Sequence, residues 1–180
     1  ATVSRVGMIF CEVRNLGWRP VRNMWLQHTL PAFFAAQSGL ISDMCEWLLP
    51  ACTYFVDKNC KVPSPVTAQE HVFSLLRLLA CLLRLAESGG CASDKDKVTE
   101  GCFIQALVWS VGACVDAPGR VKFTDYLSKV LRGEASDVPE YKDFLAKNPE
   151  YPQAFVSRKA LMTPPTEGLL HDFTFDAKAG

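Results

Sequence analysis

Residues 67–88, TAQEHVFSLLRLLACLLRLAES, decide the fold class. Thr67 and Glu70 have the spacing of a capping box, in which the threonine hydroxyl and the glutamate carboxylate each satisfy a backbone N–H that a helix start leaves without a partner. The two prolines of KVPSPVT, residues 61–67, hold the preceding chain in a loop, so the helix starts at Thr67. Its body to Glu87 is apolar on most sides, while Ser74, Arg77, Cys81, Arg84 and Ser88 recur every three or four residues as a narrow polar stripe. The apolar run Val72–Ala86 is interrupted by Ser74, Arg77 and Arg84, too short and too charged to span a bilayer. A helix apolar around most of its circumference has to be covered, so the segment reads as the central helix of a bundle.

Downstream, SGGCASDKD (Ser88–Asp96) reads as a loop, and Val98–Val115 returns to a mostly apolar helix in which Gly112 marks a close packing point. Asp116–Gly119 is a turn. Phe123, Tyr126, Leu127, Val130 and Leu131 then make an amphipathic helix that Gly133 ends, and the bundle is expected to finish there. Upstream, Val21, Met24, Trp25 and His28 give a helix after Pro20, closed by Pro31. From Ser38 to about Val56 a second helical period runs through Leu40, Ile41, Met44, Cys45, Leu48 and Leu49, with Pro50 expected to kink or split it.

The pattern changes at both ends. Val6–Glu12, VGMIFCE, reads as a buried strand whose sheet partners lie elsewhere, the mark of a piece cut from a longer polypeptide. After Gly133, five prolines between Pro139 and Pro165 punctuate a meandering connector. In it only Phe155, Leu161 and the LLHDFTF run look buried or extended, and it is expected to end in a strand.

Composition removes several function classes. With 49% hydrophobic and 21% charged residues, the 180-residue chain is no disordered tail, collagen-like fibre or mucin-like stalk. Its 19 basic and 19 acidic residues cancel, so no global field draws it to nucleic acid or an anionic membrane. The eight cysteines form no C-x-x-C pair and mostly sit in apolar runs, as buried thiols in a reducing compartment do. His28, His71 and His171 lack H-x-x-x-H spacing and read as solvated or structural rather than as metal ligands. Trp18, Trp25, Trp47 and Trp109 read as core residues, and Arg14, Arg19 and Arg22 as a solvated helix face. No glycine precedes a lysine and no G-x-G-x-x-G or G-x-S-x-G occurs, so the chain carries no complete nucleotide site.

One resemblance adds to this reading. ATVSRVGMIFCE at residues 1–12, followed by LGWRP at Leu16–Pro20, resembles the end of the large subdomain of the second AAA+ module in dynein heavy chains. In that family the Ser-Arg pair leads into the last strand of the nucleotide-binding sheet, and the LGW-R-P stretch leads into a helical lid. EWLLPACTYFVDKNC, SPVTAQEHVFSLLRLLACLL and FIQALVWSVGACVDAPGRVKFTDYL look like the lid helices, and PTEGLLHDFTFD like the approach to the third module. The resemblance covers essentially the whole chain. It implies a mainly α fold: residues 1–12 as the end of the large subdomain with one residual β-strand, 13–135 as the AAA+ helical lid bundle, and 136–180 as a connector with a C-terminal strand.

The same resemblance implies roles for particular residues. Arg5 falls at the arginine finger, which reaches in trans to ATP held by the preceding module. A guanidinium suits that task because it is planar, permanently charged and bridges phosphate oxygens. On residue chemistry alone, Arg5 also reads as a surface or strand-capping arginine. Arg77, with Ser74 one turn earlier, falls where a lid helix carries a nucleotide sensor, and equally reads as an arginine snorkelling from a bundle or paired with Glu46 or Glu70. The implied cofactors are ATP or ADP with Mg2+ in an intact motor, with no activity in this chain alone. The implied partners are neighbouring AAA+ modules of the same heavy chain, other dynein subunits and, through the whole motor, microtubules. The form SRVGMIF with LGWRP points to the axoneme of a cilium or flagellum rather than the general cytoplasm. A nucleotide-independent helical scaffold is the alternative from another class.

Overall fold

Six α-helices and several 3-10 turns carry the described residues, 16–90 and 94–176, of the computed structural model. They are α1 (Arg19–His28), α2 (Ser38–Asn59), α3 (Ala68–Ser88), α4 (Lys95–Ser110), α5 (Ala117–Leu131) and α6 (Pro139–Lys147). No strand occurs among the described residues. The expected strand at Val6–Glu12 lies outside them.

The capping box forms as read: Glu70 N–H donates to Thr67 Oγ1 at 3.3 Å, and Thr67 N–H donates to Glu70 Oε2 at 2.7 Å. The helix it starts is not the centre of the bundle. α3 packs one side against α4 and α1, while Ser74, Arg77, Cys81, Arg84 and Ser88 face water together with Phe73 and Leu85. Its apolar circumference is wider than two neighbouring helices can cover. The centre is α2, whose Ile41, Met44, Trp47, Leu48, Cys52 and Val56 are all fully buried and which touches α4, α5 and α6.

Pro50 neither splits nor ends α2, which runs unbroken for 22 residues. Proline removes one ladder bond and crowds the preceding turn, at about 3 kcal/mol. Trp47, Leu48, Leu49, Ala51 and Cys52 are buried on both sides of it, and burying any one such large side chain is worth roughly 1.5–3 kcal/mol. Packing therefore outweighs the break.

α4 ends at Ser110 and passes through a 3-10 turn, Gly112–Cys114, into α5, where the Asp116 carboxylate caps the start by accepting from Gly119 N–H at 2.9 Å. Gly133, at φ +78°, stops α5 as expected. The bundle does not finish there. α6 lays Tyr141 and Phe144 against α2, and Tyr151 donates its hydroxyl to the Trp47 carbonyl. The Phe55 and Tyr126 rings stack at 4.0 Å between α2 and α5.

The tail departs from the expected strand. Leu170–Asp172 is a 3-10 turn, Phe173 after it is extended but residues 173–176 form no strand, and Leu161 is 56% exposed rather than buried. Bundle side chains accept the Met162, Leu170 and Phe175 amides, taking the place of a pairing strand at those points.

Candidate functional site

The outward face of α3 carries two of the residues singled out from sequence. Ser74 and Arg77 stand three residues apart on one helix face, both exposed, in an open groove of about 700 Å³ lined also by Glu70, Phe73, Leu78 and Cys81. Neither acidic residue that sequence offers Arg77 takes it. Glu46 is held by two other arginines and Glu70 by its capping box. Arg77 is exposed, and among the described residues no carboxylate, carbonyl or ring engages its guanidinium. Arg5 lies outside the described residues.

A second cluster stands where the chain enters the bundle. Arg19 closes on Glu46 with two hydrogen bonds of 2.8 Å, and Arg22 adds a third at 2.7 Å. Both guanidinia lie over the Trp18 ring, at 5.1 and 5.4 Å from its centroid. Burial alone would raise the Glu46 pKa, but the hydrogen bonds from Arg19 and Arg22 hold it below the ordinary carboxylate value. The bond to Glu46 in turn raises Arg19. Arg19 and Arg22 thus clamp α1 to α2 instead of only forming the solvated face their spacing suggests, Arg22 buried and Arg19 still exposed, while Arg14 lies outside the described residues. Ion pairs across 24 and 27 residues leave no local signal.

A third feature is a cavity of about 290 Å³ between α4 and the tail, with Trp109, Ile104, Val108, Pro164, Phe173 and Phe175 among its walls. Trp109, expected in the core, is 45% exposed and meets the His171 ring edge-on at 5.7 Å. Beside the cavity Glu100, 1% exposed, accepts the Met162 N–H at 3.0 Å, and burial raises its pKa despite that bond. Sequence reasoning passed over Glu100, although a lone carboxylate within the apolar run GCFIQALVW and its approach is a usable signal of a buried acceptor.

His71, His171 and three of the cysteines are packed inside the bundle, whereas His28 is exposed. His71 is buried, with Nδ1 4.0 Å from Cys114 Sγ, and burial lowers its pKa. His171 donates from Nε2 to the Gly112 carbonyl at 3.1 Å. Cys45, Cys52 and Cys102 are buried, burial pushes the Cys45 pKa up to about 12, and Cys81 is exposed. No group of three or more metal-ligating side chains gathers among the described residues. No described helix is long and apolar enough to cross a membrane.

Known proteins resemble the chain across its length. It is 30% identical over 191 residues, 99% of the chain, to human dynein axonemal heavy chain 3. It is 33% identical over 142 residues, 74% of the chain, to mouse dynein axonemal heavy chain 1, and 31% identical over 132 residues, 72% of the chain, to human dynein axonemal heavy chain 2. The matched stretch is 4%, 3% and 3% of those relatives' own lengths. No solved structure matches significantly. The family model for the dynein heavy chain AAA lid domain matches residues 41–180, which take in the bundle from α2 to α6 and the tail laid across it; the chain belongs to that family.

Proposed function

We propose that the chain works as the lid of one nucleotide-binding module in a dynein motor ring, moving as a packed body when ATP binds and leaves. Residues 1–12 would close the module's large subdomain, 13–135 form the lid, and 136–180 lead toward the next module. The observation that carries the reading is Arg77: a guanidinium with no partner among the described residues, one turn from the Ser74 hydroxyl, on the exposed side of a capped helix. Those donors suit phosphate oxygens, and a planar, permanently charged fork recognises them without a proton to lose.

In this reading ATP with Mg2+ supplies the phosphoryl group, Arg77 and Ser74 meet the phosphates of the chain's own module, and Arg5 meets those of the preceding one. The axonemal names of the relatives support work within a cilium or flagellum on microtubules, alongside neighbouring AAA+ modules and other dynein subunits. The neutral charge gives no reason to add nucleic acid or a membrane.

Microtubule-stimulated ATP turnover of the whole motor carrying Arg5→Ala, beside wild type and Arg77→Ala, tests the proposal. A fall of about a hundredfold or more in Arg5→Ala with nucleotide still bound is expected of an arginine finger. Unchanged turnover in both variants would leave the chain as a nucleotide-independent helical scaffold.

A further inference from the structure

The tail from Val156 to Asp176 is fixed differently from the rest of the bundle. Of its 21 residues only Pro164, Leu170 and His171 are buried. Its amides turn to the bundle at intervals. Ala160 N–H donates to the Leu131 carbonyl at 2.8 Å, Met162 N–H to Glu100 Oε1 at 3.0 Å, Leu170 N–H to Thr124 Oγ1 at 3.3 Å, and Phe175 N–H to Gln105 Oε1. All but the first depend on a single bundle side chain. Little apolar area and separate side-chain fastenings are the properties of a segment that opens before the core does.

Glu100 and Gln105 fasten the two ends from the same helix, α4, and between them Gly101 receives the Phe175 ring so closely that a Cβ there would lie 2.4 Å from it. The Glu100 carboxylate is shut from water while the tail is down, and the tail's Met162 and Leu161 amides compensate it. When the tail lifts, the carboxylate regains water. Closure therefore exchanges hydration of one carboxylate for two amide hydrogen bonds, an exchange with a small net difference.

We propose that residues 156–176 form a strap that lifts from α4 and α5 as one unit, with the Glu100 carboxylate as its catch. Opening uncovers the face of α4 that carries Gly101, Ile104, Gln105 and Val108, now the floor of the 290 Å³ cavity. Because the strap is held by fastenings rather than by a core of its own, loss of one end weakens the other.

Hydrogen exchange followed by mass spectrometry on the intact polypeptide tests this, with the amides of Ala160, Met162, Leu170 and Phe175 as reporters. Glu100→Ala is expected to speed exchange about tenfold or more at all of them, Leu170 and Phe175 included, while α2 and α3 keep their wild-type rates. Glu100→Gln, whose amide oxygen still accepts from Met162, is expected to hold the strap near wild type. Faster exchange at Leu161 and Met162 alone, no change, or an equal rise throughout α2 and α3 would each overturn the proposal. Should Glu100→Ala fail to fold, Gln105→Ala at the far end decides: it must speed exchange at Met162, and an unmoved Met162 overturns the strap.

Discussion

Arg22 Nη1 and Glu46 Oε1 meet at 2.7 Å across the junction of α1 and α2, with side-chain exposures of 9% and 27%. The arginine has given up nearly all its water, and the carboxylate also accepts both bonds from Arg19. α1 is therefore fixed to α2 by charge, and Trp25 on α1 is buried besides.

Removing the shared acceptor strands a buried guanidinium. Glu46→Ala is expected to cost about 2 kcal/mol, lowering the melting temperature by roughly 4–8 °C, less than for a dry pair because Glu46 keeps some water. The pH dependence has a definite sign. The folded-state pKa of Glu46 is held below its ordinary 4.5, so its stabilisation is whole above that value and is lost as pH falls through the folded value. Thermal melts from pH 7 to pH 3 should show a shallower acid limb in Glu46→Ala than in wild type. Equal limbs would mean that the clamp contributes nothing.

Gly112 has no room for a side chain. A Cβ there would lie 2.6 Å from Phe123 Cε1 and 3.2 Å from His171 Nε2, both buried and neither free to step aside. Gly112→Ala is expected to destabilise by about 1–3 kcal/mol through overpacking, although alanine favours helix. Gly39, in the first turn of α2 with nothing within 4 Å, supplies the contrast: Gly39→Ala should leave stability unchanged or raise it by about 0.4–1 kcal/mol. Melts of the two variants in parallel check the pair of signs.

His71 and His171 give the chain a second acid limb nearer neutrality. Burial, the dominant cause in both, holds their folded-state pKa values below the ordinary 6.5. From about pH 6.5 downward the unfolded chain takes up protons that the folded chain refuses, so stability falls as pH falls toward the folded values. Glu100 acts with the opposite sign, since burial raises its pKa and its burial counts against folding as pH climbs from 4.5 to the folded value. Urea denaturation at pH 8, 7, 6 and 5 should show stability dropping across the acid steps. His71→Gln with His171→Gln should flatten that drop while leaving the Glu46 limb below pH 4.5 in place.

What sequence could reveal followed the range of the interaction. The Thr67–Glu70 box and the Gly133 stop are legible because local backbone geometry demands those residues within a turn of the helix end; Gly112 is legible as a glycine in an apolar run, although the Phe123 and His171 side chains that crowd it come from elsewhere in the chain. The resemblance carried by the first twenty residues and the lid helices pointed to the right family. The Arg22–Glu46 clamp is set by how α1 crosses α2, and the burial of Tyr141 and Tyr151 by the Trp47 carbonyl and the α2 surface, which no window around those tyrosines contains. Pro50 and the breadth of the α3 face misled for the same reason: propensity and periodicity say what a segment prefers, and packing of α2 decided both.

Arg77 separates a functional role from a structural one most cleanly. Its guanidinium bonds to nothing among the described residues, so Arg77→Ala should leave the melting temperature within the range of an ordinary surface change, about 0.5 kcal/mol or less. If Arg77 and Ser74 meet phosphates, that silent substitution should still weaken nucleotide binding in the intact motor, and Ser74→Ala should do so to a smaller degree. Arg77→Lys is then informative, because an ammonium keeps the charge but loses the two-pronged fork, and only partial recovery is expected. A fluorescent-nucleotide titration of the three variants reads the effect directly. Wild-type affinity in all of them, with wild-type melts, would assign this stripe of α3 to solvent.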